Sequence, residues 1–189
     1  MTAITTETKD RALLTFVQKL KENDDRGTLA LLRGALSNSG ERQMRAWRVL
    51  ARFGGIPTDD PHMAEVVRTV AGLLALPGLR HLSNGQSFGH ACRSLLSDDE
   101  FKSLHKTEQP GPAAQRMQHL LAATRGEVCD RVRQLGRRLE RADRVPTLDF
   151  NRLYSDLLYW SEGKKAQWAA DFWGVAEEAE EKSTQETKA

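Results

Sequence analysis

The apolar positions of this chain recur with helical spacing almost throughout. Leu13, Leu14, Val17 and Leu20 form a first stripe, and Asn23-Asp24-Asp25 ends it while offering a cap to the next. Leu29, Leu32 and Leu36 make a second, stopped by Ser37-Asn38-Ser39-Gly40. A third helix is expected from about Glu41 to Phe53, halted by Gly54-Gly55-Ile56-Pro57. A fourth opens at Pro61, a favoured first-turn residue, and carries Val66, Val67, Val70, Leu73 and Leu74 as far as Pro77-Gly78. Ser87 to Leu95 forms a short helix, and Ser97-Asp98-Asp99-Glu100 has the form of a capping box that opens another. Further helices are expected near Ala113–Ala123, Gly126–Arg141, Asp149–Glu162 and Lys165–Ala179. No β-type alternation of useful length, internal repeat or long linker interrupts this pattern. Thr107 to Pro112, with two prolines and a glycine, marks the best interior boundary. The pattern predicts an all-α protein of two small helical bundles, residues 1–107 and 112–180, joined by a short linker. A disordered acidic tail at 181–189 is expected to follow.

Composition adds class and compartment. A chain of 189 residues that is 39% hydrophobic and 29% charged fits a soluble globular protein with a real core. Cys92 and Cys129 are the only cysteines, too few for a disulfide framework or a zinc site, and are expected as small core residues in a reducing compartment. The opening MTAITTETKDR lacks the apolar core of an export signal. No stretch approaches the roughly 20 apolar residues that span a bilayer. A cytoplasmic protein without a membrane partner is expected.

Charge changes the picture more. From Arg26 to Arg152 there are 18 arginines and two lysines, Lys102 and Lys106; the other seven lysines lie near the ends. GC-rich codon usage also enriches arginine, yet lysine persists at both ends here. A guanidinium grips phosphate with a fixed fork of donors, whereas lysine acts as a flexible point charge. At about 100° per residue, Arg42, Arg45, Arg48 and Arg52 fall within about 120° of arc. Met44, Trp47, Leu50 and Ala51 are expected on the opposite, apolar side. Such a face is either a solvated surface with diffuse counterions or a phosphate-binding ridge. Between Gly126 and Arg141, Val128, Val132, Leu135 and Leu139 form a narrow apolar stripe. Arg133, Arg137, Arg141 and Arg144 are expected to project from the far side. Asp130 and Glu140 lie among them, and Glu127–Arg131 and Glu140–Arg144 have the i,i+4 spacing of ion pairs, so an ordinary salt-laced helix is the competing reading.

Recognisable catalytic chemistry is missing from the sequence. The five histidines make no HExxH pair or other ligand spacing, and Asn84-Gly85-Gln86-Ser87-Phe88-Gly89 lacks the lysine of a phosphate-binding loop. Asp59-Asp60 and Asp98-Asp99-Glu100 are explained as helix starts. Asp149 and Asp156 share a helical face but want a third metal ligand, and are expected as caps and interhelical bonds. No catalytic residue, metal site or cofactor is predicted, and the chain is not expected to be an enzyme. Trp168, Phe172 and Val175 share a stripe, so they are expected in the core rather than as base-stacking platforms. Any nucleic-acid contact should then go to backbone with little base readout.

The C-terminal third carries a family pattern. Asp149 opens a helix, Asp156-Leu157-Leu158-Tyr159-Trp160 makes a DLxxW-like turn, and Trp168-Ala169-Ala170-Asp171-Phe172-Trp173 closes the segment 148–173. With Arg116–Ala122, LALLRGAL (29–36) and SFGHACRSLL (87–96), this resembles the CasB family, the small subunit of the type I-E CRISPR Cascade complex. Gly34 stands where many relatives carry a second basic residue, and the acidic tail is not part of the family pattern. The resemblance implies a two-bundle helical protein that sits as a pair in an RNA-guided surveillance complex. Its implied partners are guide RNA, target DNA, the backbone and large subunits, and a second copy of itself. It would hold separated strands (the R-loop) by their phosphates while the guide supplies sequence specificity. The expected contacts are Arg33, Arg45, Arg48, Arg52, Arg116, Arg125, Arg131, Arg137 and Arg138. Two alternatives stay open: a protein scaffold whose arginines meet acidic partners, and a helix-turn-helix DNA-binding regulator built around Ser37–Gly40.

Overall fold

Helix-forming periodicity becomes ten α-helices in the computed structural model, which describes residues 6–53, 56–103, 110–142 and 146–174. In order they are α1 (Thr6–Glu22), α2 (Arg26–Arg33), α3 (Gly40–Phe53), α4 (Pro61–Leu74), α5 (Phe88–Ala91), α6 (Asp98–Ser103), α7 (Pro112–Leu121), α8 (Val128–Leu139), α9 (Phe150–Leu158) and α10 (Glu162–Trp173). Two 3-10 turns, Gly34–Leu36 and Cys92–Leu95, extend α2 and α5. The anticipated helix starts form as side-chain caps. Asp25 accepts from Thr28 N at 3.0 Å and Asp60 from Met63 N at 3.0 Å. Ser97 and Glu100 cap reciprocally, Glu100 N donating to Ser97 Oγ at 3.2 Å and Ser97 N to Glu100 Oε2 at 3.1 Å.

The architecture is all-α with one addition that periodicity did not predict. β1 (Arg80–Gln86) pairs in parallel with β2 (Thr147–Leu148), and both His81 and Gln86 register against Leu148. The intervening residues bulge out through Asn84, whose φ is 61°, and Asn84 N donates to Asp149 Oδ2 at 3.1 Å. β1 is mostly exposed and lacks alternation, so its pairing rests on a distant segment rather than on a local pattern.

α4 is the central helix. Every residue from Val66 to Leu74 is buried, and α1, α2, α3, α8 and α9 all pack on it. Lys21 serves its C-terminal end, donating to Leu76 O at 2.9 Å and Leu79 O at 2.8 Å. α8 approaches closely because residue 136 is glycine: a Cβ there would run into Leu73 of α4. Gly89 likewise lets α5 meet α10, since its Cβ would stand 2.6 Å from Trp168 O. Buried residues from both sides of 104–109 belong to one continuous core, running from Leu13 through Phe172. The first half of the anticipated linker, 107–109, together with Gly54, Gly55, Arg144, Val175 and the acidic tail, lies outside the described residues.

Two expected faces are corrected. On α3 the buried side chains are Ala46, Val49 and Leu50, while Met44 is 68% exposed and Ala51 is also exposed. The apolar arc is rotated because α3 meets the core through 46, 49 and 50, a narrower strip than the sequence suggested. Arg133 does not project outward: it is buried, ion-paired with Asp130 on its own helix and with Glu65 of α4. Glu65 also pairs with Arg68 at 2.5 Å, so one carboxylate ties α4 to α8. Burial opposes the charge on Arg133, yet the bonds from Glu65 and Asp130 outweigh it and raise its pKa.

Candidate nucleic-acid interface

α7 and α8 pack side by side and leave a groove of about 400 Å³ between their outer faces. α7 begins at Pro112 and buries Ala113, Ala114, Met117 and Leu120, which turns Arg116 and His119 outward. α8 buries Val128, Cys129, Val132, Leu135, Gly136 and Leu139, which turns Arg131, Gln134, Arg137 and Arg138 to the same side. Arg141 continues the row just beyond the helix. The groove is lined by Arg116, His119, Arg131, Gln134, Leu135, Arg137, Arg138 and Arg141, with no carboxylate among its described residues.

The acids of this region are engaged elsewhere. Glu127 does not form the anticipated bridge to Arg131; it accepts from Thr124 N at 3.0 Å and Thr124 Oγ1 at 2.8 Å. Those bonds, with a smaller contribution from Arg131, hold its carboxyl below the usual range. Asp130 pairs with Arg133, and Glu140 lies against Gly78. Glu100, near enough to Arg116 to feel its charge, accepts from Ser97 and from Ala113 N at 3.2 Å. Like charges three or four apart on a helix repel by about 0.2–0.5 kcal/mol per pair. The negative end of the α8 dipole offsets about 0.3–1 kcal/mol for Arg137 and Arg138. A bound anion would supply countercharge that the groove itself lacks.

Four of the nine expected arginines, Arg116, Arg131, Arg137 and Arg138, thus line one groove. Arg45, Arg48 and Arg52 lie exposed along α3, where Arg45 pairs with Glu41 at 2.5 Å. Arg48 and Arg52 make no ion pair among the described residues. Arg33 is half-buried at the end of α2, and Arg125 donates to Leu158 O at 3.3 Å outside the groove. Arg141, His119 and Gln134 join the site without having been singled out for it. Their signal was the three-four-three spacing 131–134–138–141 matched by 116–119 across the groove.

A second cleft, of about 370 Å³, lies beside β1 and includes His90, Arg152 and Asp171. Its cation is neutralised: Arg152 donates to Asp171 Oδ2 at 3.1 Å, and Ser87 Oγ donates to the same oxygen at 2.5 Å. Asp149 caps α9 through Asn151 N at 3.0 Å and Arg152 N at 3.2 Å. Asp156 is buried, accepts from Trp168 Nε1 at 2.8 Å and stands 2.6 Å from Lys164 Nζ. Among the described residues no group of three His, Cys, Asp or Glu is placed to hold a metal ion, and no helix is long and apolar enough to cross a membrane.

Comparison with known proteins agrees with this architecture. Two solved structures share the fold: CasB from Thermus thermophilus, with a TM-score of 0.62, and a CRISPR-associated protein of the Cse2 family from the same organism, with a TM-score of 0.60. Each is 23% identical and covers 88% of this chain and 98% of its own. No curated protein sequence is similar enough to count as a match. The family model for CRISPR-associated protein Cse2 matches residues 28–173, most of the chain, and the chain therefore belongs to the Cse2 family.

Proposed function

We propose that this protein is a non-catalytic subunit of an RNA-guided CRISPR Cascade complex that grips the phosphate backbone of nucleic acid without reading its sequence. In that complex it would steady the separated strands while the guide RNA selects the target. One observation carries the reading: five arginines converge on the α7–α8 groove with no carboxylate lining it. Guanidinium forks match phosphate oxygens geometrically, and several together form a track for a polyanion. The groove has no aromatic side chain but the His119 imidazole among its described lining, and Trp168, Phe88 and Trp160 are buried in the core, Trp168 with Phe88 at 5.2 Å and with Trp160 at 5.0 Å. A lining made chiefly of guanidinium groups favours backbone contact over base readout. The exposed arginines of α3 provide a second basic face for the same kind of contact.

The test is titration of fluorescent oligonucleotides of two unrelated sequences, single-stranded and duplex, across a range of salt. Equal affinity for the two sequences is expected. Replacing Arg131, Arg137 and Arg138 together by glutamine should flatten the log–log salt dependence on single strands by about 2, since each phosphate contact contributes about 0.7. The three side chains are exposed, so the fold should survive. An unchanged slope in the triple variant would remove the groove from the function. Absence of any nucleic-acid affinity at moderate salt would favour a protein scaffold, and orders-of-magnitude preference for one duplex would favour a regulator. Copurification of guide RNA and larger subunits with the native protein tests membership of the complex.

A further inference from the structure

Tyr159 ends α9 and is 60% exposed. A single exposed ring on a protein surface is ordinary. This one is held in place from both sides. Leu158 and Trp160 are buried; the Leu158 carbonyl accepts from Arg125 Nη2 at 3.3 Å, and Trp160 Nε1 donates to Ala123 O at 3.0 Å. Tyr159 N itself donates to Ser155 O at 3.0 Å, and His62 Nε2 lies 2.9 Å from Leu157 O. The backbone that carries the ring is thus fastened. Phe101, another exposed aromatic, has the Arg93 guanidinium over its face at 5.3 Å, whereas no described ring or guanidinium lies over Tyr159. Ala123 and Arg125 belong to the loop that joins α7 to α8. His119, two residues before α7 ends, and Arg131, three residues after α8 begins, line the groove towards that same loop. Tyr159 therefore stands just past the loop end of the arginine groove, with the exposed Arg125 joining the two. The acids of this corner are engaged. Asp60, which feels the charge of Arg125, accepts from Met63 N at 3.0 Å; Glu127 holds Thr124, and Glu162 pairs with Lys165 at 2.8 Å.

We propose that Tyr159 is a stacking platform for one unpaired nucleobase of a single strand whose phosphates lie in the α7–α8 groove. The inference rests on the groove being a phosphate site, as read above. Along α8 the arginines from 131 to 138 span about 10 Å. A strand longer than a few nucleotides overruns the groove, and at the loop end it meets Arg125 and then Tyr159. There a phosphate takes the donors of Arg125 that the Leu158 carbonyl leaves free. The base beside it finds a fixed aromatic face. Because the backbone under the ring is already tied, little ordering is needed on binding. Every base has a π-face, so the contact adds affinity without reading sequence. It does discriminate between states of the strand. A paired base gives both its faces to its neighbours in the stack and cannot cover Tyr159, whereas an unpaired base can. The platform thus favours separated strands over duplex, a selectivity that a row of arginines does not supply by itself.

The experiment uses the full chain with Tyr159→Ala and Tyr159→Phe variants; the side chain is exposed, so both should fold. Affinity at low salt is measured for a short oligothymidine, for an abasic oligomer of equal length that keeps the phosphates, and for closed circular duplex, which offers no ends. The wild-type protein should bind oligothymidine about 5- to 10-fold more tightly than the abasic oligomer, the lower end of what one stacked base contributes. Tyr159→Ala should lose that preference and leave the abasic and duplex affinities unchanged. Tyr159→Phe keeps the aromatic face and should retain the preference. Equal wild-type affinity for the thymidine and abasic oligomers would overturn the platform. A preference that survives Tyr159→Ala would also overturn it, and its disappearance in His119→Ala would place the stacking inside the groove instead. Equal losses on all three ligands would mean a disturbed surface rather than a lost stack, and would overturn it as well. The phosphate reading is separated by the R131Q, R137Q and R138Q triple variant, which should weaken binding of the abasic oligomer and oligothymidine alike. Abasic binding unchanged in that variant would remove the phosphate reading and the proposal with it. A loss there, with no effect of Tyr159→Ala on any ligand, would overturn the platform alone.

Discussion

Removing the Asp156 carboxylate should weaken the fold without touching the nucleic-acid surface. Asp156 is 1% exposed and receives the Trp168 indole N–H at 2.8 Å, with Lys164 Nζ at 2.6 Å and Arg152 Nε at 3.9 Å. Asp156→Ala leaves that buried N–H without an acceptor, which costs about 1–3 kcal/mol. It also strips the partner from Lys164 and Arg152. Loss of one member of a buried pair costs about 3–5 kcal/mol when the other is trapped. Here both cations are about one-third exposed and Arg152 keeps Asp171, so that contribution shrinks. A total of about 2–4 kcal/mol is expected. Asp156→Asn keeps an acceptor for the indole and should cost about half as much. Urea unfolding followed by far-ultraviolet circular dichroism measures both, which avoids using the perturbed Trp168 as its own reporter. Oligonucleotide affinity of the folded fraction should be unchanged. Equal stability of wild type and Asp156→Ala, or divalent-ion-dependent strand cleavage that disappears in the variant, would refute the structural role and point to chemistry at the Asp149/Asp156 pair.

Trp168→Ala, which empties the fully buried centre between Phe88 and Trp160, should cost about 3–5 kcal/mol in the same assay. Gly136→Ala should destabilise by about 1–3 kcal/mol, because the new methyl meets Leu73 where α8 crosses α4. Glu65→Gln leaves the buried Arg68 and Arg133 sharing a neutral amide, and a loss of about 2–4 kcal/mol is expected given its partial exposure. Acid should destabilise through the caps. Backbone N–H bonds from Thr28, Met63 and Thr124 hold the carboxyls of Asp25, Asp60 and Glu127 below their usual range. Their contribution is therefore present above the unfolded carboxylate pKa of about 4 and is lost as pH falls below it, so the urea midpoint should drop between about pH 5 and 3. A flat midpoint across that window would contradict the cap geometry.

The helices were legible because their causes are local. Caps such as Asp25, Asp60 and Ser97 act within three residues, and apolar stripes such as Val128–Val132–Leu135–Leu139 express the 3.6-residue period directly. The strand pair was not legible, because Arg80–Gln86 is exposed and becomes a strand only by meeting Thr147–Leu148 more than sixty residues later. Met44 was placed on the wrong side of α3 because an apolar residue near a stripe cannot show where the neighbouring helix stops. Of the site, the arginines themselves were visible, while the groove was not. Helical phasing favoured the α3 ridge, which lies on one element, over a groove that needs two.

What the sequence determined by itself is the helical class, the family pattern in its last third and an excess of arginine in the body of the chain. Those follow from short-range geometry and from residue identity. Which arginines stay free was decided only by packing. Arg68 and Arg133 look no different in the sequence from Arg131 or Arg138. A carboxylate on α4 meets the first two in the interior and fixes them as struts. The contact of α7 with α8 turns Arg116, Arg131, Arg137, Arg138 and Arg141 toward one another with no acid between them. A guanidinium is costly to bury and uncomfortable beside its own kind, so its role depends on which charges the tertiary fold brings within reach. That is a through-space property, and no spacing along the chain encodes it.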